Sequence, residues 1–452
     1  MKKAFFRISL QNIRRHWKKS LITGTCICLG FTGIILLGGY MVRMERYLTT
    51  QGIYLNHVGH LALYKEGGLD RHLVEPSTHS FSPQEVELIK TALSQRKEVE
   101  HIGGFIHGQG LITNGCQSFP FQTWASEPQT QKYLREHPLV VSRIPLLTKL
   151  KYGRGFWEGE EGILITKRLA ELLKKPLVAG ENSENVSARD QIITDCLDPV
   201  STSTLSSHSG IQLVGSSFDG GLAALDSVTL GHFTTGFALT EDSSILMPLT
   251  QAQEFFNTDQ VTSLGVFLKT ADQTSNLQTW LEHKLKALKL PVEIYRYDDS
   301  RVNPFYVGAM RFVYIMNLFF FIIVCGVVIL SLLNAIQIAI LERKAEIGTL
   351  LAVGYRREHV RKLFELEALM IAVISMGIAV ILSYILATVV NSLGIPFDIV
   401  GNAEKLYLTL EVEWWYCFGL FVFFVLLVWG ATSWICRVHL SVPLTRLLER
   451  GD

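Results

Sequence analysis

Residues 312–341 read FVYIMNLFFFIIVCGVVILSLLNAIQIAIL, thirty consecutive positions without a charged side chain. A helix rises 1.5 Å per residue, so about 20 apolar residues cross a hydrocarbon core. Buried helices of soluble proteins rarely stay uncharged past roughly 14 residues. Three more stretches pass the same test: Leu21–Val42, Ala368–Phe397 and Trp414–Cys436. The chain of 452 residues is 48% hydrophobic and 18% charged, with mean hydropathy +0.26, and soluble proteins carry about a quarter charged residues. Lys+Arg 42 against Asp+Glu 41 excludes recruitment of nucleic acid by bulk charge. Seven cysteines are too few for a disulfide scaffold, and 10% aromatics too many for a disordered chain.

The expected fold class is an α-helical membrane protein with four transmembrane helices and a large mixed α/β domain between the first two. Lys and Arg mark the cytoplasmic side. Residues 1–20 hold seven basic side chains and no acid, 342–367 hold six basic and five acidic, and 437–452 hold Arg437, Arg446 and Arg450. The 398–413 segment has Lys405 alone against four acids. This predicts an N-in, C-in topology. Residues 1–20 form a cytoplasmic basic amphipathic helix, 21–42 the first span and 43–311 a periplasmic domain. Residues 312–341 form the second span, 342–367 a cytoplasmic coupling segment and 368–397 the third span. Then come a short periplasmic loop at 398–413, the fourth span at 414–436 and a cytoplasmic tail at 437–452. The first span reads as an anchor, because its uncharged run exceeds a signal peptide's and no small-x-small site closes it.

Residues 43–311 carry 25 basic and 30 acidic side chains. Ser82-Pro83-Gln84-Glu85 is a capping box with Pro at the first helical position. Ile163–Ile165 is a strand, with Thr166 placed to cap the helix after it. Ile245–Met247 repeats the pattern before the helical 251–256, and strand Leu264–Leu268 precedes a helix near 275–290. Residues 181–221 are a polar insertion whose role the sequence leaves open. Cys116 and Cys196 are the cysteines of this domain; in an oxidising compartment they pair, and two unpaired buried thiols are the alternative.

Six histidines lie between 57 and 107, without the spacing of a metal site. No GxSxG occurs, nor any Gly-Lys dipeptide of a phosphate-binding loop, so no catalytic residue, metal or cofactor is assigned to this chain. No span carries a buried acid or base, which leaves no visible proton relay.

Residues 342–367 read ERKAEIGTLLAVGYRREHVRKLFELE. Ile347, Leu350 and Leu351 share a helical face that Gly354 ends. Such a segment is either a solvated connector or a docking helix handing force from a cytoplasmic partner to the second and third spans. The run Glu342–Gly354, followed by Val360, Phe364 and Glu367-Ala368, closely resembles the signature of FtsX/MacB-type (type VII) ABC permeases. The basic N-terminal helix and the closing Val442-Pro443-Leu444-Thr445-Arg446-Leu447-Leu448-Glu449 look like that family's ends. Gly162–Ala170 and Ser244–Gln253 resemble segments of its lipoprotein-releasing LolC/LolE branch. Gly180-Glu181-Asn182 and the polar insertion depart from that branch where relatives carry Gly-Asp.

The resemblance implies a permease half that dimerises with a second copy or a paralogue. It implies a separate cytoplasmic ABC ATPase dimer, with ATP and Mg held there, and mechanical transmission to the periplasmic domain. Glu342, Glu346, Ile347, Gly348, Leu351 and Gly354 become the candidate ATPase-coupling residues. Gly30, Gly33 and Gly38, with Asn317 and Asn334, become the candidate dimer or substrate interface, although these glycines could equally pack the first span against its own chain. The implied cargo is a lipoprotein or another amphiphile drawn from membrane lipid of the inner membrane and passed to a periplasmic carrier or adaptor. MacB-like efflux of peptides or small molecules, or FtsX-like regulation of a cell-wall hydrolase, are the alternatives. A MacB-type chain normally carries a fused ATPase, which tilts the expectation toward the lipoprotein-releasing type.

Overall fold

The structure is a computed structural model that describes residues 2–15, 17–148, 150, 152–158, 161–173, 210–342, 347–349, 354, 356–397 and 406–440. It divides into two compact units: one of residues 1–45, 311–396 and 407–452, the other of 46–310 and 397–406.

The first unit is a helical membrane block. Helices Trp17–Thr50, Pro304–Glu342, Arg357–Leu393 and Trp414–Leu440 are long and apolar enough to cross a membrane. They contain the uncharged stretches, except that the third ends at Leu393, where Gly394 turns left-handed and Pro396–Phe397 form a short strand instead of the expected span to Phe397. Their interior is built from Ile27, Phe31 and Ile34 of the first span, Val328 of the second, Ala372, Met376 and Ala379 of the third, and Phe424 and Val428 of the fourth. The Phe31 and Phe424 rings meet edge to face at 5.3 Å. Small residues on the third span let its neighbours approach closely, the usual means of helix packing where lipid offers no hydrophobic drive. The amphipathic helix Lys2–Arg15 lies against helix Arg357–Leu393.

The second unit is a mixed α/β domain with ten strands in one sheet. They are β1 Leu61–Lys65, β2 Val99–Thr113, β3 Ser118–Ser126, β4 Tyr152–Gly153, β5 Ile163–Thr166, β6 Gly210–Ser216, β7 Leu222–Phe233, β8 Ser244–Leu246, β9 Ser263–Leu268 and β10 Val292–Arg296. The long strand β2 serves two groups. Its first half pairs with β9, which continues through β1 to β10. Its second half pairs with β3 and, at Gly110–Thr113, with β6. Pairing then runs β3, β8, β5, β7, β6 and back to β2, with β3/β8 and β5/β7 parallel. Gly108 on β2 leaves room for helix Leu249–Phe256, since a Cβ there would come within 2.1 Å of the Phe256 ring.

Helices Pro83–Ser94, Lys167–Leu172, Leu249–Phe256 and Thr274–Ala287 cover the sheet, and Ile89, Leu169, Phe255 and Leu281 join Leu63, Ile106, Ile165 and Leu264 in one core. Each such side chain contributes about 1.5–3 kcal/mol by leaving water. The Ser82–Glu85 capping box forms in both directions. Thr166 differs from the expected cap. It occupies the N-cap position, but its hydroxyl donates to the Glu241 carbonyl and ties the end of β5 to the loop before β8. Cys116 is held in a disulfide, while Cys196 and the polar stretch 181–209 lie outside the described residues.

Candidate functional site

The second span ends at Glu342, which is exposed. Glu346 and Leu351 lie outside the described residues. Ile347 is 2% exposed and joins a cluster formed by Ile336 and Ile340 of the second span, Val360 and Phe364 of the third, and Ile435 and Cys436 of the fourth. Gly348 beside it is buried, and Thr349 is exposed. Gly354 has φ +100°, a left-handed conformation that stops a helix and that residues with a Cβ resist. Arg356 then leads into the third helix. Ile347 and Gly348 are thus buried rather than presented to solvent, and Ile347 belongs to the apolar interior that the second, third and fourth spans share. As a surface for a partner they are unavailable; as an anchor for the segment they are well placed.

The glycines of the first span separate in a way their spacing did not reveal. A Cβ on Gly30 would sit 2.7 Å from Val328 Cγ2 of the second span, and one on Gly38 would sit 2.1 Å from the Tyr416 ring of the fourth. These two glycines serve packing within the chain. That is the second of the two roles their spacing left open. Gly33 has nothing within 4 Å and is exposed, so of the three it alone stays open to a neighbour. Asn317 is half-buried and Asn334 exposed, and Gln337, one turn on, is exposed as well.

A closer contact went unread in the sequence. Gly39 approaches the backbone of the loop before the fourth span, where a Cβ would meet the Glu411 carbonyl oxygen at 2.8 Å. The Glu411 N–H donates to the Gly39 carbonyl at 3.3 Å, and Arg43 Nη1 reaches Glu411 Oε1 at 3.3 Å. Tyr314 completes this end by donating to Glu45 at 3.2 Å. The signal was the acidic approach to the fourth span, with Glu411 and Glu413, but nothing local in the sequence names Arg43 as the partner of Glu411.

Residues 318–441 match the family model described as FtsX-like permease C-terminal. A stretch of 81 residues is 35% identical to the macrolide export ATP-binding/permease protein MacB of Campylobacter jejuni, in two strains; it is 18% of this chain and 13% of that relative's length. Among solved structures, the periplasmic region of MacB from Actinobacillus actinomycetemcomitans aligns at TM-score 0.32 and 12% identity, over 55% of this chain and 91% of that one. The extracellular domain of the ABC-type transporter YknZ from Gram-positive bacteria aligns at TM-score 0.29 and 11% identity, over 52% of this chain and 99% of that one. The stretch that the family model matches runs from within the second span through the third and fourth helices. The membrane block thus carries an FtsX-like permease C-terminal domain, and the chain is similar there to ABC permeases of the FtsX/MacB type.

Proposed function

We propose that this permease works with a separate cytoplasmic ABC ATPase dimer, which holds ATP and Mg, and passes ATP-driven motion into the domain of residues 46–310. That domain then draws a lipoprotein or another amphiphile from the inner membrane toward a periplasmic carrier. The observation that carries the reading is the burial of Ile347 in the apolar interior shared by the spans, so a partner that pulls on it pulls on packing common to several helices. A loose connector would not transmit that pull. Interiors close to crystal packing density pass such shifts on rather than absorb them.

A second copy supports the same reading. Only 12% of the second span's most apolar window is buried, against 28–33% for the other three. Asn334 and Gln337 are exposed on it, and an amide facing hydrocarbon lacks the partners that water supplies. A second protomer, identical or paralogous, offers them, and Gly33 offers the close approach. MacB-like export of a small molecule is the second reading, favoured by the 81-residue match.

Glu346→Lys in the full chain, co-reconstituted with candidate ABC ATPases, tests the docking role. Reversal of a charge at a partly exposed contact costs about 1–3 kcal/mol. The reading expects weaker complex formation and loss of coupled transport with membrane insertion unchanged. Complex and coupling that both survive the reversal would place docking elsewhere. Release of a lipoprotein from proteoliposomes, set against efflux of a macrolide, separates the two cargoes.

A further inference from the structure

The start of the chain carries a basic face that no acid answers. The first Asp or Glu of the sequence is Glu45, and among the described residues no ion pair involves Arg7, Arg14 or Lys18. On helix Lys2–Arg15, Ser9 is buried while Arg7, Leu10, Gln11 and Arg14 are exposed. Seven residues bring Arg7 and Arg14 to within about 20° of each other around the axis and about 10 Å apart along it. Leu10 lies between them, 50% exposed.

Helix Trp17–Thr50 begins two residues later. Trp17 is 58% exposed and stands one turn before Leu21 on the same face; Lys18 stands likewise before Ile22, and all four side chains are exposed. Leu21 and Ile22 open the uncharged run, so outward-facing they meet acyl chains. One turn, about 6 Å, then sets the Trp17 ring and the Lys18 ammonium at the depth of the headgroups, where such side chains concentrate. Arg14 is four residues from Lys18, at most about 14 Å even in extended chain, so both reach one headgroup region.

Bases beside exposed Leu and Trp are the arrangement by which a helix in the interface plane takes up anionic lipid, each base adding about fivefold in affinity. A zwitterionic headgroup brings a cation of its own, and residues 1–44 hold no carboxylate to receive it. An acidic protein surface would match the three charges but would leave Leu10, Trp17, Leu21 and Ile22 without acyl chains around them.

We infer that Arg7, Arg14 and Lys18, with Leu10 and Trp17 beside them, form a binding surface for anionic phospholipid of the phosphatidylglycerol kind. The bases pair with its phosphate, and its acyl chains lie against Leu21 and Ile22. Helix Lys2–Arg15 packs on helix Arg357–Leu393, so a bound lipid joins the start of the first span to the third. This surface is separate from the ATPase contact and from the cargo proposed above, and its test uses neither, so either reading can fail without the other.

The test uses the purified full chain in phosphatidylcholine nanodiscs that carry a few per cent of phosphatidylglycerol with a photoreactive headgroup. Labelled peptides are mapped, with unlabelled lipids as competitors. The expected result is labelling within 7–22 that phosphatidylglycerol displaces at concentrations at least about tenfold below those phosphatidylcholine needs. Arg7→Gln with Arg14→Gln should weaken phosphatidylglycerol about tenfold or more and leave phosphatidylcholine unchanged. Arg7→Lys with Arg14→Lys should keep most of the preference. Raising NaCl from about 0.1 to 0.5 M needs no variant and should narrow the gap between the two lipids at least about threefold, because exposed charges are screened. Labelling confined to peptides outside 7–22, equal competition by the two lipids (the result an acidic protein occupant predicts), or a preference untouched by the double Gln variant or by salt would each overturn the inference.

Discussion

His60 offers a quantitative test of how the domain between the first two spans is held. It lies at the start of β1, is 4% exposed, and its Nδ1 accepts the Leu268 N–H at 3.0 Å, joining the chain before β1 to the end of β9. Burial, and then the neighbouring His137, lower its pKa to about 4 from an ordinary 6.5. A histidine kept neutral in the fold binds its proton more weakly there than in the unfolded chain. Its contribution to stability is therefore intact above pH 6.5 and is lost as the pH falls toward 4. With 1.36 kcal/mol per pKa unit, moving from pH 7 to pH 4.5 should cost about 2–3 kcal/mol from this residue alone. His57, at about 3, and His232, at about 4, add losses in the same window, so a fall in stability of the wild type is not itself diagnostic. His60→Asn is. The Asn side-chain oxygen can take the place of Nδ1 as acceptor for Leu268 and does not titrate. Urea unfolding of the full chain in nanodiscs, followed through domain tryptophans at both pH values, should show a pH penalty smaller by about 2 kcal/mol in the variant. Equal penalties in the two proteins would mean that His60 is solvated or charged in the fold, and the packing described around it would be wrong.

Gly39→Ala should destabilise the membrane block by about 1–3 kcal/mol, because the new methyl meets the Glu411 backbone rather than a side chain that can swing away. Gly33→Ala, with nothing within 4 Å, should be neutral or gain up to about 1 kcal/mol from helix propensity; thermal unfolding of both variants checks the contrast, and equal effects would refute it. Ile347→Ala should cost about 2–5 kcal/mol as a buried cavity. It should lower coupled transport more than ATPase binding, read as transport per ATP hydrolysed in proteoliposomes. Breaking the half-buried Arg43–Glu411 pair by Glu411→Gln should cost no more than about 1 kcal/mol, since partly exposed ion pairs contribute little, and a larger loss of melting temperature would assign that pair a bigger part.

The membrane half of this fold is readable from composition because hydrocarbon imposes one rule on every position it touches. Twenty to thirty uncharged residues leave few structures other than a spanning helix, and each such stretch is helical in the structure save the last four residues of the third, which follow the Gly394 cap. Local signals of similar strength, the capping box at Ser82 and the left-handed glycine at 354, are legible for the same reason: the residues that decide them lie within a few positions of one another. The strand order is different in kind. β2 works in two groups because partners some 100 to 160 residues away dock on its two halves, and no window of sequence contains that fact.

The candidate interface shows where sequence reasoning misjudges even a strong local pattern. Five glycines in one span correctly announce close helix contacts, yet spacing assigns a glycine only to an angle about the helix axis, never to what waits at that angle. Gly30 and Gly38 stand about 80° apart around the axis and meet the second and fourth spans of their own chain, while Gly33 meets nothing. Small residues permit approach and do not select the partner. The selecting groups are the ones that cannot be left alone in hydrocarbon, and on the second span these are Asn334 and Gln337.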